Sequence, residues 1–153
     1  MKKTIKTEIM INAPIQRVFE YYTDADNIKK AWPHDIVKES ENISSENGQQ
    51  EPAMKVEAEY LGKKDEMILE VVQKEQNKIF VTRQTRGPFE SWESIQEFQS
   101  NGNVATIVNH TINYELPTTG KIANFLSGSQ LEDKLRKGLQ QSTQTTKQIL
   151  ENA

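Results

Sequence analysis

The sequence predicts an α+β domain: one strand, two short helices, six more antiparallel strands and a long closing helix. Three observations carry this. Ile5, Thr7, Ile9 and Ile11 alternate with Thr4, Lys6, Glu8 and Met10, the period of two that marks a strand with one wet face. Over residues 35–116, short alternating runs are separated by turn residues at close spacing, which argues for one antiparallel meander. After Pro117, residues 118–150 contain no proline. There Ile122, Phe125, Leu126, Leu131, Leu135, Leu139, Thr146, Ile149 and Leu150 fall mostly on one broad helical stripe.

Each element follows from local chemistry. Asn12 is a good N-cap, and Pro14 suits a first helical turn, where its missing N–H costs nothing. Ile15, Val18, Phe19 and Tyr22 then share one helical face. Asp24 or Asp26 caps a second short helix carrying Ile28 and Trp32, and Pro33 ends it by restricting the residue before it. Residues 36–43 read as a polar strand, followed by the turn Glu46-Asn47-Gly48. Met54, Val56, Ala58 and Tyr60 alternate with charged residues, and Gly62-Lys63-Lys64-Asp65 turns the chain. Strands at 67–72 and 79–85 flank the turn Glu75-Gln76-Asn77-Lys78, and Gly87-Pro88 breaks the run. Residues 89–99 and 104–116 form a hairpin about Asn101-Gly102. In the last helix, Gly128 and Ser129 introduce a kink or a new start. Gly138 either weakens the helix by about 1 kcal/mol relative to alanine or permits close approach to the sheet.

At 153 residues, with no repeat and no linker, the chain reads as one domain over residues 1–153. A net charge of −3 argues against a nucleic-acid partner. No stretch reaches the roughly 20 apolar residues of a membrane span, and Lys6, Thr7 and Glu8 interrupt any leader-like apolar run after Met1-Lys2-Lys3. The absence of cysteine rules out disulfides and thiol catalysis and fits a reducing cytoplasm. Two isolated histidines make no metal cluster. There is no phosphate-binding glycine loop and no nucleophile elbow, so no cofactor is expected.

Ile9-Met10-Ile11-Asn12-Ala13-Pro14 with Val18-Phe19, then Trp32-Pro33, the Gly102 hairpin and the amphipathic last helix together resemble the START/Bet v 1-like (SRPBCC) superfamily, which includes the polyketide cyclase/dehydrase-like proteins. The resemblance covers essentially the whole chain. It implies a helix-grip fold, in which a curved antiparallel sheet wraps around the C-terminal helix and encloses a cavity for a small apolar or amphipathic molecule. The Cys-x-His and Cys-x-x-His pattern of the superfamily's Rieske oxygenases is absent.

If the sheet is concave, parity selects its inward residues. On the last strand these are Val104, Thr106, Val108, His110, Ile112, Tyr114 and Leu116, so His110 is a polar residue on an otherwise apolar face. It is either a structural histidine bonded to a neighbour or a ligand-polarising, proton-moving group and the candidate catalytic residue. A two-residue hairpin loop pairs it with Glu93. A three-residue loop with a glycine bulge, the preferred reading, pairs it with Trp92 and turns Trp92, Ser94, Gln96 and Phe98 inward. The expected lining is drawn from Val56, Ala58, Tyr60, Trp92, Phe98, Val108, His110, Ile112, Phe125 and Leu126. Met10, Met54, Tyr60 and Met67 are expected in the core, where methionine suits a pocket that reshapes. Trp32 is expected at the cavity rim and His34 in solvent. Arg83 and Arg86 read as solvated edge charge or as guards of the pocket mouth.

Three functions compete. The first is a carrier or sensor that binds an apolar molecule. The second is a polyketide cyclase/dehydrase-type enzyme using His110 with Glu93 or Tyr114. The third is an interaction domain resembling the Hsp90-activator type, acting through its surface.

Overall fold

The computed structural model describes residues 2–60, 63–117 and 128–153. Seven antiparallel strands form one curved sheet in the order β1-β7-β6-β5-β4-β3-β2. The strands are β1 (Lys2–Ile11), β2 (Val37–Ile43), β3 (Ala53–Tyr60), β4 (Lys63–Glu75), β5 (Ile79–Arg86), β6 (Ser91–Asn101) and β7 (Ala105–Glu115). Between β1 and β2 lie helix α1 (Ile15–Tyr22), a 3-10 turn (Ala25–Asn27) and the one-turn helix α2 (Ile28–Ala31). Helix α3 (Gly128–Glu151) closes the chain, so the architecture is the helix-grip fold.

Strand β1 keeps its predicted parity, with Ile5 and Ile11 buried and Lys2, Thr4, Lys6, Glu8 and Met10 exposed. Met10 is therefore not a core residue. The cap of α1 also differs from expectation. Pro14, in extended backbone, is the N-cap, and Asn12 instead donates its backbone N–H to Glu151 Oε2 on α3 at 2.7 Å. The next turn is capped by Asp24, which accepts from the Asp26 N–H at 3.0 Å. Trp32 leaves the helix in extended backbone (ψ 147°), as its following proline requires.

The β6–β7 hairpin turns through Gly102, Asn103 and Val104 and closes on Asn101 opposite Ala105. Gly102 occupies left-handed backbone (φ +70°), which glycine adopts without a Cβ clash. This three-residue turn sets His110 opposite Gln96, and Trp92 opposite Tyr114. The expected Trp92–His110 pairing is thus wrong by four residues along β6. An even displacement leaves the face unchanged, so Trp92, Ser94, Gln96 and Phe98 all remain inward. Val104 belongs to the turn and is exposed rather than inward.

Helix α3 buries Leu131, Leu135, Leu139, Thr146 and Leu150, while Ile149 is exposed. It packs chiefly on β1 and is tied there by Lys147 Nζ donating to the Met10 carbonyl at 2.7 Å. Gly138 does permit a close approach, but to α2 and its exit rather than to the sheet. A Cβ built there would stand 2.6 Å from Ile36 Cδ1 and 3.0 Å from Trp32 Cζ3.

Candidate functional site

Between the concave face and α2–α3 lies a cavity. Its volume is about 90 Å³. Strand parity supplies most of its wall: Met54, Val56 and Ala58 from β3, Met67 and Leu69 from β4, Phe80 and Thr82 from β5. Trp92, Ser94 and Gln96 continue it on β6, and His110 and Ile112 on β7. The helices add Tyr22, Ile28, Trp32 and Leu135. No Asp, Glu, Lys or Arg stands among these described lining residues.

The polar groups gather on one wall. Ser94 Oγ and His110 Nε2 are 2.8 Å apart and share a hydrogen bond. Gln96, directly opposite His110 in the ladder, has a buried Oε1 with no hydrogen-bond partner among the described residues. Thr82 lies beside Ser94 on the next strand. The Tyr22 ring meets the imidazole edge-on, with centroids 6.3 Å apart. Burial in these apolar surroundings lowers the His110 pKa to about 4, so the ring is neutral at physiological pH. Burial likewise raises the Tyr22 hydroxyl above the ordinary phenol range. A second, smaller void lined by Asp24, Asn27, Ser142 and Thr146 adjoins the same Tyr22, Trp32, Gln96 and His110.

A family model described as polyketide cyclase / dehydrase and lipid transport matches residues 11–142. The chain belongs to this family. Solved structures share the family's fold at low identity. A START superfamily protein of Mycobacterium smegmatis aligns over 97% of both chains with a TM-score of 0.77 and 14% identity. A protein of Thermus thermophilus aligns over 97% of both chains, at a TM-score of 0.78 and 20% identity. The Zhui aromatase/cyclase of Streptomyces sp. R1128 covers 99% of this chain and 93% of its own, at a TM-score of 0.74 and 12% identity. No curated protein matches the chain by sequence.

Within this polyketide cyclase/dehydrase-like frame, the expected site residues divide. Val56, Ala58, Trp92, His110 and Ile112 line the cavity. Phe98 and Val108 do not, although both face inward and are buried. Phe98 is covered by Phe19 and Tyr22, at ring centroids 5.1 and 5.6 Å, so α1 fills the space before a ligand reaches it. Val108, next to Phe98 in the ladder, is buried in the same packed region. Phe125, Leu126 and the side chain of Tyr60 lie outside the described residues. Trp32 is part of the wall, Met54 and Met67 line it, and His34 is exposed.

Neither proposed proton-transfer partner of His110 is beside it. Glu93 has the opposite parity and binds exposed Arg83 at 2.8 Å. Tyr114 pairs with Trp92 further along β7, and its phenol is pushed up to about 12, chiefly by burial and then by Glu132. Arg86 is exposed and bound to Glu46 at 3.0 Å. Sequence reasoning placed Ser94 and Gln96 on the inward face but missed them as site residues. Their signal was present, since each is a polar residue at an inward parity position, as His110 is.

Proposed function

We propose that this protein binds a small hydrophobic or amphipathic molecule in the cavity, acting as a carrier or sensor. The chief support is the composition of the wall: mostly apolar and aromatic, with Ser94, Gln96 and His110 as neighbours on β6 and β7. Binding pockets for small molecules combine a mostly apolar lining with a few placed polar groups in this way. Met54 and Met67 give the wall adaptable side chains, which suits a cavity that must widen to admit a ligand.

A cyclase or dehydrase activity has less support. A general base works best with a pKa near the working pH. The His110 imidazole, lowered to about 4 by burial, takes up a proton poorly there, and no carboxylate stands among the described residues lining the main cavity.

The test is binding of the neutral, environment-sensitive dye N-phenyl-1-naphthylamine. Ala58 is fully buried in the cavity wall, so Ala58→Trp places an indole in the free volume. We expect blue-shifted dye emission with the native protein and a loss of roughly tenfold or more in affinity for the variant, about 1.4 kcal/mol. Overpacking should cost about 1–3 kcal/mol of stability, leaving the variant folded by circular dichroism. Dye binding that ignores the added indole would place the ligand elsewhere and end this proposal.

A further inference from the structure

The polar wall has a chemistry of its own, and the inference drawn from it rests on the ligand-binding reading above. Ser94 and Gln96 are two residues apart on one face of β6, a separation of about 6.6 Å along the strand. Both side chains line the same cavity, so one ligand group can meet both. Gln96 Oε1 is buried and lacks a donor among the described residues. An acceptor left in that state is costly, so a ligand that donates to it gains more than an ordinary hydrogen bond. Ser94 is bonded to His110 Nε2 at 2.8 Å. In the tautomer whose Nε2–H donates to Ser94 Oγ, the serine keeps its own proton to give to a ligand.

The wall therefore offers an acceptor at Gln96 and a donor at Ser94. A hydroxyl group, which donates once and accepts at its lone pairs, answers both. A carboxylate can accept from Ser94 but answers only that need. It has no proton for Gln96 Oε1, and no Lys or Arg stands among the described lining residues to balance its charge. Burying an unpaired carboxylate carries a large penalty. We propose that the cavity selects an uncharged ligand bearing a hydroxyl group, an alcohol or phenol on an apolar body, docked between Ser94 and Gln96.

Three ligands of nearly equal shape test this near neutral pH by calorimetric titration: 4-butylphenol, 4-butylbenzoate and butylbenzene. We expect the phenol to bind roughly tenfold or more tightly than the benzoate, and more tightly than the hydrocarbon. Gln96→Leu should bring the phenol down to the level of butylbenzene, while butylbenzene itself stays within about twofold. Leucine is close in size and apolar, so the variant keeps the wall intact. Equal affinity for benzoate and phenol, or a phenol preference that survives Gln96→Leu, overturns the inference while the cavity reading stands. If none of the three ligands nor the neutral dye binds, the cavity reading falls and this inference with it.

Discussion

The two halves of the concave face have the same strand parity but different interiors. Beneath α1 the space is filled: Phe19 and Phe98 meet edge-to-face at 5.1 Å, Tyr22 also meets Phe98 edge-to-face at 5.6 Å, and Val108, Thr106 and Ile11 are at most 1% exposed. Beneath α2 and α3 the same strands leave a cavity. The sheet does not decide this difference. β7 presents Thr106 and Val108 to one half and His110 and Ile112 to the other without a break in its pairing. What differs is the cover. Helix α1 has two full turns and points Phe19 and Tyr22 at the sheet, whereas α2 is one turn long and α3 brings Leu135 and a glycine. Among the described residues, the cavity of this protein thus follows from a shortage of side-chain volume in the helices that cover it.

The largest expected effect separates the halves directly. Phe98→Ala removes a ring in edge-to-face contact with two other rings and should cost about 3–5 kcal/mol, because packed surroundings collapse poorly. Met67→Ala, at a position already bordering free volume, should cost about 2 kcal/mol, the low end for its type. Urea denaturation of both variants measures this, and the dye should bind Phe98→Ala with unchanged affinity. Equal costs, or a loss of dye binding in Phe98→Ala, would mean that the halves are not distinct.

A second effect belongs to the open half alone. His110 has a folded-state pKa of about 4 against an unfolded value of 6.5, because burial disfavours its charged form. Between those values the unfolded chain holds more protons than the folded one, so stability rises with pH through the window and is lost as pH falls. From pH 7 to pH 5 the loss should be about 2 kcal/mol, in a range where most carboxylates have not yet protonated. His110→Gln keeps a hydrogen-bonding group for Ser94 without the titration. The denaturation midpoint of this variant should be nearly flat over that interval. An unchanged slope would show that His110 is hydrated in solution and that the cavity wall is open at that point.

Much of this contrast was legible in the sequence, and the remainder was hidden for physical reasons. Element order, strand parity and the stripe Leu131, Leu135, Leu139, Thr146 and Leu150 of α3 are local periodicities, and among the described residues they read correctly apart from Val104 and Ile149. Hairpin register depends on where the turn closes, which Asn101-Gly102 does not fix, so the partner of His110 was read as Trp92 rather than Gln96. Phe98 and Val108 were assigned to the lining because parity says only which side a residue faces. Whether a helix has filled that side is a question of tertiary packing. Glu70 is a further case. By parity it points outward on β4, yet it is 1% exposed, because Ser45 Oγ and the Glu46 N–H donate to its carboxylate at 3.0–3.1 Å. No periodicity announces a loop that folds back over the outer face.

The smallest expected effect on stability is at Gly138, and it is the most sensitive to how the cover shapes the open half. Alanine there gains up to about 1 kcal/mol of helix propensity. Against this, its Cβ would meet Ile36 Cδ1 at 2.6 Å and Trp32 Cζ3 at 3.0 Å. The isoleucine tip can rotate away cheaply, whereas the indole must shift as a rigid body by a few tenths of an ångström. The two terms oppose each other, so Gly138→Ala should remain within about 1 kcal/mol of the native stability, a shift of about 3 °C or less in Tm. Both displaced side chains, however, belong to the cavity wall. Dye affinity should therefore change by roughly threefold or more, about 0.6 kcal/mol, and tryptophan emission should move with it, because Trp32 and Trp92 are the only tryptophans and both line the cavity. A variant that gains the full propensity term while leaving dye affinity and emission untouched would show that Trp32 and Ile36 yield outward. The volume of the cavity would then be set by the sheet after all, and the contrast between the two halves would need another cause.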